Sequence, residues 1–299
     1  MRAELLGTAW NRQSRIILGN KGVLRPGPWM VLRSLLWMIA LLIVTGAILS
    51  LQSLVTSLIP HATVTVAMAF ICTGLGFTAY IALVRQGEKR WPVELSTVGF
   101  LREYLAGFLT GGLIIAMTIG FLWLAGGYEI KPGRWTDWPH DLREAIGTGL
   151  LEELLARLII FRLLSRAFGM AAGLLLSAAA FGAAHLSNPH ATPLAALAIA
   201  VEAGLLFAGF YMLTGRIWMS AGIHAGWNLM LGGIFGARVS GMASDGSLLV
   251  SLPRHGSIDA LTGGGFGPEA SLPAVILGLG AFALIVRFLP KCRQPPKSD

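Results

Sequence analysis

The sequence predicts an all-α protein, a polytopic transmembrane helix bundle of about eight spans, and three observations lead to this fold class. Of the 299 residues, 55% are apolar and only 13% are charged. The mean hydropathy is +0.68, and a soluble core of this size could not hide so much apolar surface, so lipid must cover the excess. The third observation is that Lys and Arg punctuate long apolar runs.

Eight of these runs are long enough to cross a membrane as helices. A helix needs roughly 20 mostly apolar residues to cross about 30 Å of hydrocarbon, and it satisfies its own backbone hydrogen bonds there. The runs are 31–59, 62–84, 104–126, 142–165, 170–187, 193–214, 217–236 and 272–289.

Basic residues beside the spans predict the orientation, because the cytoplasmic side of a membrane retains them. With both termini in the cytoplasm, 17 Lys and Arg residues fall on the cytoplasmic side and five on the opposite side. We therefore expect an integral protein of a bacterial plasma membrane. It would have a basic cytoplasmic arm at 1–30, a transmembrane domain at 31–290 and a cytoplasmic tail at 291–299.

The charge and cysteine content exclude several classes of protein. The net charge of +8 does not indicate a nucleic-acid partner, because the basic residues neither cluster on one face nor alternate with aromatic residues. The two cysteines, Cys72 and Cys292, are too few for a disulfide framework and lack zinc-finger spacing. The lipid bilayer is therefore the first expected partner.

Two further patterns predict local structure. Asp141 and Glu144 have the spacing of a capping box, which predicts that the fourth helix begins at Asp141. The Gly- and Ser-rich segment 237–271 is interpreted as a flexible connector. The alternative is a lid over a site on the outer face.

Charged and strongly polar side chains inside spans are costly unless they are paired or hydrated, so each one is a candidate site residue. Here they are few and fall in one half of the chain. They are Glu152, Glu153, Arg157, His185, Glu202, His224 and Asn228.

The two adjacent glutamates are expected to differ in role. Glu153 and Arg157 lie one helical turn apart in the favourable order for an ion pair, which is interpreted as a buried structural bridge. Glu152 points about 140° away from Arg157, so its carboxylate is left to face a cavity. We therefore favour a chemical role for Glu152.

His224 and Asn228 also lie one turn apart, so an imidazole and a carboxamide face the same neighbouring helix. Such a pair can stabilise an oxyanion, although either residue can also serve only in packing between helices. Counted along their helices, Glu152 and Asn228 fall near the middle of the membrane, while His185 lies closer to the outer end. A cavity joining them would open outward. Glu202 could contact Arg157 or a histidine, or could line the same cavity.

Three short motifs follow one another along these spans. They are EExxxR from Glu152 to Arg157, FxxxH from Phe181 to His185, and HxxxN from His224 to Asn228. Together they resemble the CAAX protease and bacteriocin-processing family, also known as Abi, which includes the type II CAAX prenyl endopeptidases. The resemblance covers about residues 140–235, the motif core of the transmembrane domain.

The resemblance implies an intramembrane endopeptidase with a peptide or protein substrate. Glu152 and His185 would activate a water, His224 and Asn228 would stabilise the oxyanion, and Phe181 would shape the pocket wall. Family substrates range from prenylated tails to secreted peptides, and some members are linked to self-immunity against bacteriocins. An outward-opening cavity fits exported peptides better than a cytosolic prenylated tail.

Several alternatives remain open at this stage. No cofactor is expected, but zinc bound by Glu152, His185 and His224 is the alternative mechanism, although HExxH is missing. Catalysis by Ser220, one turn from His224, is a remote option. The alternatives to an enzyme are a scaffold that binds a partner protein through its spans, and a transporter with Glu152 and Glu202 as a proton relay. The sequence does not indicate an oligomeric state.

Overall fold

The computed structural model describes residues 14–289. The first part of the predicted arm, up to residue 13, lies outside the described residues, as do the predicted tail at 291–299 and Cys292. The prediction of these two cytoplasmic segments therefore stays a prediction.

The described chain is almost entirely helical, which confirms the predicted all-α class, and its eight long helical segments coincide with the eight predicted runs. They are α1 (Met30–Leu58), α2 (Ala62–Glu88), α3 (Phe100–Leu124), α4 (138–168), α5 (Met170–Ala184), α6 (Pro193–Thr214), α7 (218–234) and α8 (Leu272–Phe288). Within the described residues, α1, α2, α3, α6 and the segment Met170–Ser187 are long and apolar enough to cross a membrane. The other three are shorter or more highly charged.

Glycines bring α3 and α7 into backbone contact. A Cβ atom on Gly111 would lie 2.2 Å from the carbonyl oxygen of Ile223, and one on Gly226 would lie 2.0 Å from that of Phe108. Only glycine fits at such positions, and small residues are the usual means by which membrane helices approach closely. This contact fixes the position of α7, the helix that carries the HxxxN motif.

The start of α4 differs from the prediction. The helix begins at Trp138, with Pro139 in its first turn, where a proline's fixed φ angle is already helical. Asp141 lies inside the helix, and its carboxylate accepts a 2.7 Å hydrogen bond from Nε1 of Trp135. The predicted capping box is therefore wrong, because Asp141 bonds to a side chain from the preceding loop.

A two-stranded sheet is the one part of the described fold that the all-α prediction missed. Strand β1 (Tyr128–Pro132) pairs antiparallel with strand β2 (Leu249–Pro253). The segment 237–271, predicted to be a flexible connector, thus contains a strand, the short helix Asp259–Thr262 and the buried residue Phe266. The connector interpretation is wrong, because this segment folds back onto the bundle.

A buried ionic network lies at the opposite end of α4 from this sheet. Arg162 donates two hydrogen bonds, of 2.9 and 2.7 Å, to Glu88 at the end of α2. Arg90 bonds to both Glu88 and Glu94, and Tyr80 donates to Glu94. Charge-assisted hydrogen bonds of this kind fix geometry strongly. The network anchors α4 and thereby fixes where its EExxxR motif stands.

Candidate active site

A cavity of about 310 Å³ lies among α1, α4, α5, α6, α7 and the segment 237–271. Its walls include all four residues predicted to be catalytic, together with the predicted wall residue. These are Glu152, His185, His224, Asn228 and Phe181. The tertiary structure therefore brings side chains from α4, α7 and the end of α5 to one hollow.

Behind the cavity, Glu153 and Arg157 form the ion pair that their helical spacing predicts. Nε of Arg157 lies 2.9 Å from Oε2 of Glu153, and both side chains are fully buried. The guanidinium also lies 4.9 Å from the ring centre of Phe181 and 5.4 Å from that of Phe207, distances typical of cation–π contacts. Arg157 thus neutralises Glu153 and holds the aromatic wall of the cavity.

Glu152 is the carboxylate of α4 that faces the cavity. Its side chain is 30% exposed, and no Arg or Lys among the described residues lies within ion-pair distance of it. Two π-helical turns, Arg143–Thr148 and Leu154–Phe161, flank the glutamates. Such turns redirect side chains and are frequent at functional sites.

His224 lies between the two glutamates. Its Nδ1 atom is 3.2 Å from Oε1 of Glu153, and its Nε2 atom is 3.7 Å from Oε2 of Glu152. Because an ionised carboxylate only accepts, Nδ1 carries the proton in the bond to Glu153. Nε2 therefore faces the cavity beside Glu152.

His185 directs one ring nitrogen to its own helix and leaves the other free. Nδ1 lies 2.8 Å from the carbonyl oxygen of Phe181, so Nδ1 donates and Nε2 is the acceptor in the neutral ring. The ring centres of Phe181 and His185 lie 5.0 Å apart. This packing fixes the imidazole at the end of α5, where it can accept a proton or hold a water.

Asn228 presents an unengaged carboxamide to the cavity. It lies one turn beyond His224, immediately before the π-helical turn Leu229–Ile234, and it is 9% exposed. Its side chain makes no hydrogen bond to any other described residue. An amide N–H that is held in place but unpaired can donate to a substrate oxygen.

Glu202 does not line the cavity and has no hydrogen bond to Arg157 or a histidine, so neither arrangement that the sequence left open for it is observed. It is fully buried in the π-helical turn Ala200–Gly204, and neither carboxylate oxygen has a hydrogen-bond partner in the described part of the chain. It packs against Gly278 of α8 instead of Arg157 or a histidine, and it does not line the cavity. Glu202 is therefore outside the cavity that Glu152 faces.

The other mechanisms receive less support from the geometry. Ser220 is fully buried, and its hydroxyl donates a 2.8 Å hydrogen bond to the carbonyl oxygen of Phe207 instead of to His224. It does not line the cavity. In residues 14–289, no three His, Cys, Asp or Glu side chains are grouped closely enough to hold a metal ion. The proposed zinc set, Glu152, His185 and His224, is not such a group.

Three charged residues of the cavity wall were missed by the sequence analysis. Arg143 and Glu144 form an ion pair in the first turns of α4, and Arg143 also bonds to Thr56 of α1. Glu269, from the segment 237–271, also lines the cavity. A lone acid beside a proline just before an apolar run was the only signal for Glu269, and it is weak.

Comparison with known proteins supports the motif analysis. No curated protein and no solved structure matches the chain. Residues 134–230, about a third of the chain, match a family model, and this match contains all three motifs. The matching family is described as type II CAAX prenyl endopeptidase Rce1-like, so the resemblance that the motifs predicted is confirmed over this segment.

Proposed function

We propose that this protein is an intramembrane endopeptidase in which Glu152 activates a water molecule to hydrolyse a peptide bond. One observation carries the proposal. The carboxylate of Glu152 faces a cavity shared with His185, His224 and Asn228, whereas the adjacent Glu153 is neutralised by Arg157. Glu152 is thus available for catalysis, whereas Glu153 has a structural role.

The hydrolysis starts with proton transfer from water to Glu152. As the proton leaves, the water oxygen bonds to the carbonyl carbon of the substrate, and the carbonyl π electrons move to its oxygen. Nε2 of His185 accepts a hydrogen bond from the same water and orients it. When the tetrahedral intermediate collapses, the C–N bond breaks and Glu152 returns the proton to the leaving amine.

The negative oxygen of the intermediate needs hydrogen-bond donors. Asn228 supplies an amide N–H from a side chain that has no other partner among the described residues. His224 can donate from Nε2 only in its doubly protonated form, because Nδ1 already donates to Glu153. The positive charge of that form would further stabilise the developing oxyanion.

The substrate is a membrane-associated or exported peptide or protein. The cavity lies at the end of the bundle that carries β1, β2 and the start of α4. The basic residues of the sequence favour an extracytoplasmic position for this end. We propose that the protein acts in a bacterial plasma membrane and needs no metal. Peptide processing and self-immunity are then more plausible roles than removal of a cytosolic tail.

The experiment compares cells that carry wild-type protein with cells that carry Glu152→Gln, which keeps the side-chain size but removes the base. Membrane-associated and exported peptides are identified by mass spectrometry. We expect specific cleavage products to disappear in the variant while its membrane level stays normal. Glu129→Gln is the matched control, because Glu129 is exposed on β1 and does not line the cavity.

Two results would contradict the proposal. If cells carrying Glu152→Gln produced every peptide that wild-type cells produce, the protein would act as a scaffold. If the purified protein lost cleavage on treatment with a chelator and regained it with zinc, the metal mechanism would replace the metal-free one.

A further inference from the structure

Glu269 is a buried carboxylate in the wall of the cavity, and it has no part in the proposed hydrolysis. It is 3% exposed, and no Arg, Lys or His among the described residues lies within ion-pair distance of it. A buried carboxylate without a cation requires N–H and O–H donors to replace water. The residues that supply these donors show which parts of the chain Glu269 links.

The donors come from two different parts of the chain. Nε1 of Trp227, on α7 next to Asn228, donates to Oε1 of Glu269 at 2.9 Å. The backbone N–H of Ser240 donates to Oε2, and the Ser240 hydroxyl lies 3.1 Å from the same oxygen. One carboxylate therefore joins α7 to the segment that follows it.

Ser240 belongs to a short strip, residues 238–242, that we call the cover. Val239, Ser240 and Met242 of the cover all line the cavity. The cover is also tied to the end of α5, because Nδ2 of Asn188 donates to the carbonyl oxygen of Ser240 at 2.9 Å. Asn188 lies three residues beyond His185, so the cover connects the turn carrying His185 to Glu269.

At Gly241, the next residue of the cover, only glycine fits. Gly241 has a φ angle of +88°, and a Cβ atom there would lie 2.0 Å from the carbonyl oxygen of Pro189. Its N–H donates to the carbonyl oxygen of Phe266 at 2.7 Å. The cover therefore packs directly against the turn that follows α5. It also accepts support from the chain just before Glu269, through the hydrogen bond to Phe266.

We propose that Glu269 is a positioning residue of the candidate active site, which pins the cover over the cavity between α7 and the end of α5. The pinned cover forms a wall of the cavity against which the substrate peptide lies. This inference rests on the proposed peptidase function. In this arrangement, the segment 237–271 forms a fixed wall of the site.

The first measurement tests the pinning without any substrate. A nitroxide spin label is attached to Met242→Cys, a position that is 54% exposed, in the full-length protein with Cys72 and Cys292 replaced. Its mobility is read by electron paramagnetic resonance. We expect Glu269→Ala to mobilise the label strongly and Glu269→Gln to do so less, because an amide keeps one acceptor oxygen. Glu129→Gln should leave the spectrum unchanged.

The second measurement follows the peptides whose production depends on Glu152. In Glu269→Ala cells their yield should fall roughly tenfold or more, since buried donors lose their acceptor and the wall loses its position. Thermal stability of each variant is measured in parallel. Glu269→Gln, the milder change, should show a smaller fall in yield while its melting temperature stays near that of the wild type.

The outcomes separate this inference from the proposed function. An immobile label in Glu269→Ala would overturn the pinning. A mobile label with normal peptide yield would overturn the positioning role. If no peptide depends on Glu152, the proposed peptidase function fails by the Glu152→Gln result alone, and the positioning role fails with it.

Discussion

Nδ1 of His224 lies 3.2 Å from Oε1 of Glu153, and this contact joins the HxxxN motif on α7 to the EExxxR motif on α4. Glu153 accepts hydrogen bonds from Arg157 on its own helix and from His224 on the other, so it fixes the ring orientation of the histidine. Nε2 is thereby directed to the cavity, 3.7 Å from Glu152. The two neighbouring acids of α4 therefore contact opposite nitrogens of one imidazole.

Arg157→Met should strongly destabilise the protein. The substitution leaves the buried carboxylate of Glu153 without its cation, and breaking one side of a buried ion pair costs about 3–5 kcal/mol. Thermal unfolding of the purified protein in detergent measures the loss. Lys131→Met removes a cation from an exposed pair with Glu129 and should change stability little. An Arg157→Met protein as stable as wild type would contradict the structural role.

Asn228→Ala should lower the cleavage rate about 100- to 1,000-fold without affecting the fold, because the loss of one oxyanion donor typically has this effect. The measurement is the rate at which Glu152-dependent products accumulate. Ser220→Ala is the control on the same helix, since the Ser220 hydroxyl bonds only to the carbonyl oxygen of Phe207. An inactive Ser220→Ala protein of normal stability would restore the serine mechanism.

Glu202→Gln should keep full activity and leave stability unchanged or higher. The carboxyl group is fully buried, has no hydrogen-bond partner among the described residues and does not line the cavity, so a neutral side chain of similar size removes no contact. Both peptide yield and melting temperature are measured. A variant that folds normally but no longer cleaves would show that Glu202 takes part in the reaction after all.

Stability should fall at acidic pH through Glu94, which lies outside the spans. Burial alone would raise the pKa of Glu94, but hydrogen bonds from Arg90 and Tyr80 and the charge of Arg162 lower the pKa below its usual 4.5. A lowered pKa contributes stability above pH 4.5 that is lost as pH falls through the folded-state value. Melting temperature should therefore decrease below pH 4.5, and Glu94→Gln should flatten this decrease while lowering stability at pH 7.

The predicted orientation can be tested by cysteine labelling in intact cells. A membrane-impermeant maleimide should label His255→Cys, in the exposed loop after β2, from outside the cell. Lys89→Cys, in the loop after α2, should react only after the cells are opened. Labelling of residue 255 exclusively from the cytoplasmic side would reverse the topology and make a cytosolic tail the better substrate.

Local rules selected most of the residues that the structure brings together around the cavity. The cost of charge in lipid selects few positions, and the 100° step of a helix separates Glu152 from the Glu153–Arg157 pair. The same rules failed for Glu202, because periodicity says which residues share a face but not which helix that face meets. They also failed for Asp141, whose carboxylate accepts a hydrogen bond from Nε1 of Trp135 instead of from a backbone N–H.

The sequence by itself determined the helical class, the eight apolar runs and the ion pair within α4, because hydrophobicity and helical spacing act over a few turns of one helix. Only the tertiary structure decided that His224 contacts both glutamates, that Glu202 packs against α8, and that the segment 237–271 returns to place Glu269 in the cavity wall. These relationships depend on which helices and loops lie side by side. That arrangement follows from packing across the whole bundle, which no stretch of adjacent residues encodes.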